Sequence, residues 1–216
     1  MIQNYLNFLA RLNQNNNRQW FTVNKDEYNK LKIEYLDWIE KLLFEMIKVD
    51  SSLQFLTAKD CIFRINRDIR FTKDKSPYKT HLSGFFSNSP KNGHNCGYYF
   101  EISTDSKLTI GGGQYNLLPK ELFKSRQKLV EDASPFRKVL KNKEFKQTFG
   151  GLTGEQLKTH PKGFSRDTEN LDLLKFNNYI ALTTLDISSE NDENIADIIL
   201  SKFKVTKPLI DLLRKW

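Results

Sequence analysis

The sequence predicts an α+β fold, in which an antiparallel β-meander is combined with helices. Apolar residues recur at steps of three and four before residue 49 and again after residue 190, a spacing typical of amphipathic helices. Between residues 80 and 110 the apolar residues instead alternate with polar ones and are interrupted by turn residues, which is typical of short antiparallel strands. No apolar run reaches the length of about 18 residues that a membrane span needs.

Length and composition favour one domain over residues 1–216. A chain of 216 residues with 38% apolar residues is long enough for one sizeable core. The start of the chain lacks the basic segment and long apolar segment of a secretory signal. Cys61 and Cys96 lie in apolar surroundings, which favours buried, reduced thiols and a cytoplasmic protein. A disulfide between them is the alternative.

The first 48 residues predict two helices. Residues 2–12 have the spacing of a short amphipathic helix, and the three asparagines at 15–17 offer turn or cap chemistry. Asn24 is a candidate N-cap for the longest helix, residues 25–48. The apolar stripe of that helix is predicted to face the core. Its members are Tyr28, Leu31, Tyr35, Trp38, Leu42 and Met46.

Residues 61–82 concentrate charge, aromatic rings and turn residues. Alternation at the start predicts a strand, with Cys61, Phe63 and Ile65 on one side and Arg64 and Asn66 on the other. The alternation then stops, and residues 66–79 are predicted to form an ordered loop. Six cations face two carboxylates between residues 64 and 80, and the difference of four charges is half of the chain's net +8.

These residues form the candidate binding site. An arginine at every third position suits neither a strand nor a long helix, so a looped path is expected to bring the guanidinium groups together around an anion. Asp68 is expected to hold a neighbouring arginine in a bidentate pair. The candidate ligand-binding residues are Arg64, Arg67, Arg70, Lys73, Lys75, Tyr78, Lys79 and His81.

The meander is predicted from three strands at residues 80–87, 97–103 and 107–110, with a polar turn at 88–95 between the first two. Three glycines at 111–113 follow. Residues without a Cβ allow the backbone to approach a ligand or another strand closely. Because the run lacks the spacing of a phosphate-binding loop, tight packing against a strand is the preferred interpretation.

The second half of the chain predicts helices at residues 120–131 and 134–143, a long surface segment with short helical pieces at 145–164, and a helical turn at 171–174. One more strand is predicted at 179–185. Two amphipathic helices are expected at 190–203 and 207–216, with Pro208 in the first turn of the second.

Several kinds of chemistry lack their sequence signals. His81, His94 and His160 stand far apart, and the two cysteines form no CxxC pair, so neither a metal site nor a cofactor is predicted. No nucleophile elbow is visible. His81 directly follows the basic loop and is a candidate general base, but a structural role for a single histidine at the start of a strand is the preferred interpretation.

Four sequence blocks resemble one family. They are NNNRQWF (15–21), RDIRFTKDKSPYKTHL (67–82), GGG (111–113) and PKGF (161–164). In this order the blocks resemble the bacterial and fungal family called domain of unknown function 2461. Thr72 departs from the serine more usual there but keeps the hydroxyl. The resemblance implies a single α+β domain and carries no established activity or catalytic residue.

The sequence leaves three functional interpretations open. In the first, the basic residues form a concave site for a small molecule that bears a phosphate or carboxylate, with enzyme activity left open. In the second, the same surface binds a nucleic-acid backbone, with Phe71 or Tyr78 stacking on bases. In the third, the arginines and aspartates tie the loop together and bind no ligand. The first is preferred because Pro77 and short turns suit a folded loop.

Overall fold

The computed structural model describes residues 1–88 and 96–216. It confirms the α+β class: the four strands form an antiparallel sheet in which they follow their order in the chain, and helices precede the first strand, lie between the last two and follow the last. Most of the polar turn predicted at 88–95, including His94, lies outside the described residues. None of the helices in the described part of the chain is long and apolar enough to cross a membrane.

The chain divides into two compact units. The first unit contains Met1–Phe86, Tyr99–Thr109 and Thr184–Leu200, and the second contains Ser87–Tyr98, Ile110–Thr183 and Ser201–Trp216. The single domain predicted over residues 1–216 stays a prediction. The candidate site residues predicted from the sequence all belong to the first unit.

Three helices open the first unit: α1 (Ile2–Gln14), α2 (Arg18–Val23) and α3 (Lys25–Val49). The predicted helices at 2–12 and 25–48 are therefore correct within two residues. Asn17 caps α2, because its side chain accepts a hydrogen bond from the Trp20 amide. Asn24 precedes α3 without a side-chain cap bond. The apolar stripe of α3 faces the core, as predicted, although Trp38 stays half-buried.

The strand predicted at residues 61–66 is wrong. Cys61 instead ends a short helix, α4 (Ala58–Cys61), and the residues after it make only isolated bridges, between Ile62 and Gly84 and between Asn66 and Tyr78. The capping box of Thr57 and Asp60 explains the helical turn, since it pairs two backbone amides that a strand would have directed elsewhere. Phe63 is 46% exposed, so the predicted apolar face does not form.

The sheet contains β1 (His81–Phe86), β2 (Cys96–Ser103), β3 (Lys107–Gln114) and β4 (Tyr179–Asp186). The four strands predicted between residues 80 and 185 are all present, but β3 continues through the glycine run instead of ending at residue 110. A Cβ on Gly111 would lie 1.9 Å from the carbonyl oxygen of Ala181, and one on Gly113 would lie 2.1 Å from that of Tyr179. The glycines therefore allow close approach to β4, which is the packing role that the sequence favours.

Four helices belong to the second unit: α5 (Pro119–Glu131), α6 (Ser134–Lys141), α7 (Lys143–Phe149) and α8 (Leu171–Leu174). The predicted helix at 134–143 is thus split after Lys141. The start of the predicted surface segment is corrected too, because Phe145 and Phe149 are buried within α7. Arg126 of α5 is also buried, and its guanidinium donates to the carbonyl oxygens of Leu174 and Phe176.

The last helix, α9 (Asp192–Leu213), corrects the prediction of two C-terminal helices, because Pro208 lies inside one continuous helix. An interior proline costs about 3 kcal/mol. Burial of a large apolar side chain contributes about 1.5–3 kcal/mol, and Phe203, Leu209, Ile210 and Leu213 are almost completely buried at helical spacing. The combined burial of these four side chains therefore exceeds the cost of the proline. Cys61 and Cys96 are both buried, as predicted, and no disulfide joins them.

Candidate anion-binding site

The basic residues lie on a narrow hairpin, residues 65–79, which we call the basic hairpin. Its two arms are joined by hydrogen bonds from the Arg67 amide to Pro77 O at 2.9 Å and from the Lys79 amide to Ile65 O at 2.8 Å. Asn16 holds the hairpin in place, since its side-chain amide exchanges two hydrogen bonds with the backbone of Tyr78. The predicted ordered loop therefore exists, and it is attached to the N-terminal helices.

Tyr78 anchors the basic hairpin through its ring. The ring is buried and stacks on Phe21, with centroids 4.1 Å apart and planes 22° apart. Both aromatic rings lose contact with water in this arrangement, which stabilises the hairpin at its base. Tyr78 is therefore a packing residue, and its ring is not exposed to a ligand.

At the tip of the hairpin, Arg67 is held by acceptors of the hairpin itself. Its Nη1 atom forms an ion pair with Asp74 and donates to Ser76 O at 3.1 Å. Asp74 also accepts hydrogen bonds from the amide and hydroxyl of Ser76. These donors, led by Ser76, hold the pKa of the Asp74 carboxyl well below its usual range.

Arg70 is paired in the same local way. Its Nε and Nη2 atoms donate to the two carboxylate oxygens of Asp68 at 3.0 and 2.7 Å, which is the bidentate geometry predicted for Asp68. These hydrogen bonds lower the pKa of Asp68 to about 2. Lys75 donates to Ile69 O at 2.8 Å. Each arginine at the tip therefore has a carboxylate partner within the tip.

Near the base of the hairpin, a separate group of cations lines a narrow cleft, which we call the basic cleft. Arg64, Lys79 and His81 come from the stretch that the sequence singled out, and Lys32 comes from α3. The rest of the lining is mainly aromatic and apolar: Tyr5, Leu9, Tyr28, Tyr35, Ile62, Phe63, Ile65, Leu82 and Ser83. In the described part of the chain, Arg64 and Lys32 donate no hydrogen bond to another side chain or carbonyl.

Lys79 is a partly desolvated cation in this cleft. Its Nζ atom lies 4.8 Å from the centroid of the Phe63 ring, within the range of a cation–π contact. Burial lowers the pKa of Lys79, and the positive charge of Arg64 lowers it further, whereas Glu101 acts in the opposite direction. An anion bound beside Lys79 and Arg64 would relieve this repulsion.

His81 adds an imidazole to the same cleft. Its Nε2 atom lies 3.5 Å from a carboxylate oxygen of Glu101, which also accepts a 2.6 Å hydrogen bond from the Tyr99 hydroxyl. Burial lowers the pKa of His81, and Lys79 and Arg67 lower it further, while Glu101 raises it. The imidazole is consequently favoured in its neutral form near pH 7, in which one ring nitrogen is available to accept a proton.

The structure thus separates the eight predicted site residues. Three line the basic cleft, and Arg67, Arg70 and Lys75 make contacts inside the hairpin. Lys73 is exposed, and Tyr78 is part of the core. Sequence reasoning missed Lys32, Tyr5 and Tyr35, because these residues lie on α1 and α3, which it assigned to packing alone. In the sequence, Tyr5 and Tyr35 are distinguished only by the polar hydroxyl that each brings to an apolar stripe. Nothing in the sequence distinguishes Lys32 from other exposed lysines.

Comparison with known proteins identifies the family of the chain. The model of a family described as conserved hypothetical protein (DUF2461) matches residues 4–212, which confirms the resemblance seen in the sequence. No curated protein and no solved structure gives a significant match. Among the residues that the structure describes, no group of three histidine, cysteine, aspartate or glutamate side chains is placed to hold a metal ion.

Proposed function

This chain belongs to the DUF2461 family, and from the geometry of its basic cleft we propose that it binds a small molecule bearing a phosphate or carboxylate. The anionic group occupies the mouth of the cleft, where Arg64, Lys79 and Lys32 provide positive charge. The ring of Phe63, a lining residue that is 46% exposed, contacts the adjoining apolar part of the ligand outside the narrow cleft. His81 is the fourth polar group of the site.

One observation carries the proposal: among the described residues, Arg64 of the cleft lacks the carboxylate partner that each arginine at the hairpin tip has. Arg67 and Arg70 each have a carboxylate partner within the hairpin, whereas Arg64 donates to none of the described residues. Arg64 also lies near enough to Lys79 to lower its pKa. Arg64 and the partly buried Lys79 repel each other, and a bound anion would relieve that repulsion.

A neutral histidine beside a carboxylate would also serve a reaction. When an acidic proton of the ligand lies near His81, the imidazole accepts it as a general base and Glu101 stabilises the imidazolium. The contact with Glu101 at 3.5 Å is long for a hydrogen bond. We therefore propose binding as the function and assign no reaction.

A thermal-shift screen tests the proposal. The wild-type protein is heated with phosphorylated metabolites, carboxylic acids, nucleotides and short oligonucleotides. A true ligand at about 100 times its Kd stabilises the fold by roughly 2.7 kcal/mol. The ligand should raise the Tm of wild type and of Arg70→Gln but not that of Arg64→Gln. If no compound raises the wild-type Tm, or if both variants respond like wild type, the cleft is not an anion site.

One observation favours nucleic acid as a second candidate. Phe71 at the hairpin tip is 92% exposed, and the Arg70 guanidinium lies 5.4 Å from its ring centroid. An exposed ring beside cations is suited to stacking on an unpaired base. Binding of a single-stranded oligonucleotide would then weaken steeply with salt, roughly 0.7 log units in affinity per log unit of salt for each phosphate contact, and would be lost in Phe71→Ala.

A further inference from the structure

Tyr35 lines the basic cleft, and its hydroxyl group is buried without a hydrogen-bond partner among the described residues. Tyr35 lies on α3, is 3% exposed and lines the cleft together with Arg64 and Lys79. Its ring is fixed by an edge contact with Tyr5, at 5.7 Å between centroids, and by stacking on Trp38 at 6.1 Å. Within the described residues, no donor or acceptor pairs with its oxygen atom.

An unpaired buried hydroxyl is unfavourable, which makes its position informative. Leaving such a group without a partner costs about 1–3 kcal/mol, and most buried hydroxyls in folded proteins are paired. Burial raises the pKa of Tyr35 well above its ordinary value, and nearby Cys61 and Tyr99 raise it further. The group therefore remains a protonated donor and needs an acceptor that the described side chains do not supply.

The cavity of the basic cleft is small. Its volume is about 20 Å³, which holds roughly one water-sized group. A ring or a chain does not fit there, but a single oxygen atom of a larger ligand does. The remainder of the ligand would stay in the wider mouth, next to Arg64 and Lys79.

The charge around this space favours one kind of oxygen. Lys32, Arg64 and Lys79 line the cleft, and Glu101, which acts on Lys79 and His81, offsets one positive charge. The remaining excess of about two charges suits a phosphomonoester, which carries roughly −1.5 to −2 at pH 7. A carboxylate carries only −1.

Resting on the proposed function, we infer that the ligand presents a terminal phosphoryl group, one oxygen of which accepts a hydrogen bond from the Tyr35 hydroxyl. Tyr35 is then the deep contact of the site, and the cations hold the other phosphoryl oxygens at the mouth. Since a hydroxyl donor needs an acceptor atom, the site discriminates against ligands that present an ammonium or a methyl group at this depth.

Two tyrosine-to-phenylalanine variants test the inference. Tyr35→Phe removes the unpaired hydroxyl, and Tyr179→Phe removes a buried hydroxyl on β4 that also has no hydrogen-bond partner among the described residues and does not line the cleft. Calorimetric titration with inorganic phosphate and with acetate, together with the Tm of each protein, gives the comparison. Tyr35→Phe should weaken phosphate binding by roughly tenfold or more, as expected for a hydrogen bond to a charged group, without a fall in Tm. Tyr179→Phe leaves the cleft unchanged and should bind phosphate like wild type.

The results separate this inference from the proposal on which it rests. If wild type binds phosphate and Tyr35→Phe binds it equally well, Tyr35 is not the phosphoryl contact, although the anion site stands. If acetate binds as tightly as phosphate, the assignment to a phosphoryl group is wrong. If wild type binds neither anion, the proposed function itself is wrong. The inference is supported if Tyr35→Phe binds phosphate more weakly than both wild type and the control variant.

Discussion

The tip of the basic hairpin and the basic cleft differ in how they use the same kind of residue. At the tip, each arginine has a carboxylate partner within seven positions of the chain, Asp74 for Arg67 and Asp68 for Arg70. At the cleft, Arg64 and Lys79 lie beside aromatic side chains of α1 and α3. The role of an arginine in this stretch thus depends on whether it pairs with a carboxylate that lies nearby in the sequence. An arginine with such a partner stabilises the hairpin, whereas Arg64, which has none among the described residues, is available to a ligand.

The largest expected effect is the loss of phosphate binding when the cleft loses two cations. Replacing Arg64 and Lys79 together by glutamine removes two of its cations, so binding of inorganic phosphate should become undetectable by calorimetry. Each charge-assisted hydrogen bond contributes about 1.5–3 kcal/mol, and losing two should weaken binding by more than a hundredfold. As a control, Lys73→Gln with Lys75→Gln removes the same charge from the tip and should bind like wild type. Equal losses in both double variants would mean that only net charge matters.

The next largest effect is a fall in Tm when an ion pair at the hairpin tip is removed. Arg67→Ala removes the contacts to Asp74 and Ser76 O, so we expect a fall in Tm of the order of 2 °C, as is usual for a partly exposed pair in a chain of this size. Phosphate binding should be retained. Hydrogen exchange of the Arg67 and Lys79 amides, which join the hairpin arms, should become faster. Lys73→Ala is the control, and an unchanged Tm in Arg67→Ala would show that the tip pairs are not structural.

A smaller effect concerns pH. The folded-state pKa of His81 is lowered from 6.5 by burial, so the unfolded chain binds a proton more readily than the folded one. The stabilisation from the neutral imidazole is thus present above pH 6.5 and lost as the pH falls through the lower folded pKa. The difference in unfolding free energy between wild type and His81→Gln should shrink on acidification from pH 7 to 5.

Urea denaturation at each pH measures this difference. Asp68 and Asp74, whose pKa values are also lowered, lose their contributions at lower pH and do so in both proteins, so their effects cancel. A difference that grows on acidification would mean that His81 is stabilised in its charged form in the folded protein.

The smallest effect is expected from Phe71→Ala. Its ring is 92% exposed, so removing it should change neither the Tm nor phosphate binding measurably. A matched replacement, Phe63→Ala, removes a ring that contacts Lys79 in the cleft and should weaken phosphate binding. If Phe71→Ala instead abolishes binding of a single-stranded oligonucleotide, the hairpin tip is the functional region and the comparison is reversed.

The sequence predicted most of the fold because helices and strands leave periodic patterns. The helices and meander follow from residue spacing, and the glycine run was correctly assigned to close packing. Pro208 was misread as a helix start because a proline fits the first turn of a helix, and only the buried side chains on both sides of it show that the helix continues. The strand predicted at residues 61–66 failed because the capping box of Thr57 and Asp60 lies just before the alternating residues.

The site was predictable only in part. Local pairs such as Asp68 with Arg70 are two residues apart, so the sequence shows them directly. The cleft depends on tertiary placement: Lys32 and Tyr35 are about a helical turn apart on α3 but more than 25 positions from Arg64. The stripe containing Tyr35 was assigned to the core, which its burial confirms, but spacing alone does not show an unpaired hydroxyl.

The most direct test of the account is a calorimetric titration of inorganic phosphate into two variants that lose the same charge from the same stretch, Arg64→Gln and Arg70→Gln. Arg64 lines the cleft, and Arg70 is paired with Asp68 at the tip. We expect Arg64→Gln to weaken binding by about tenfold or more and Arg70→Gln to bind like wild type. Equal affinities in the two variants, or a greater loss in Arg70→Gln, would contradict the account.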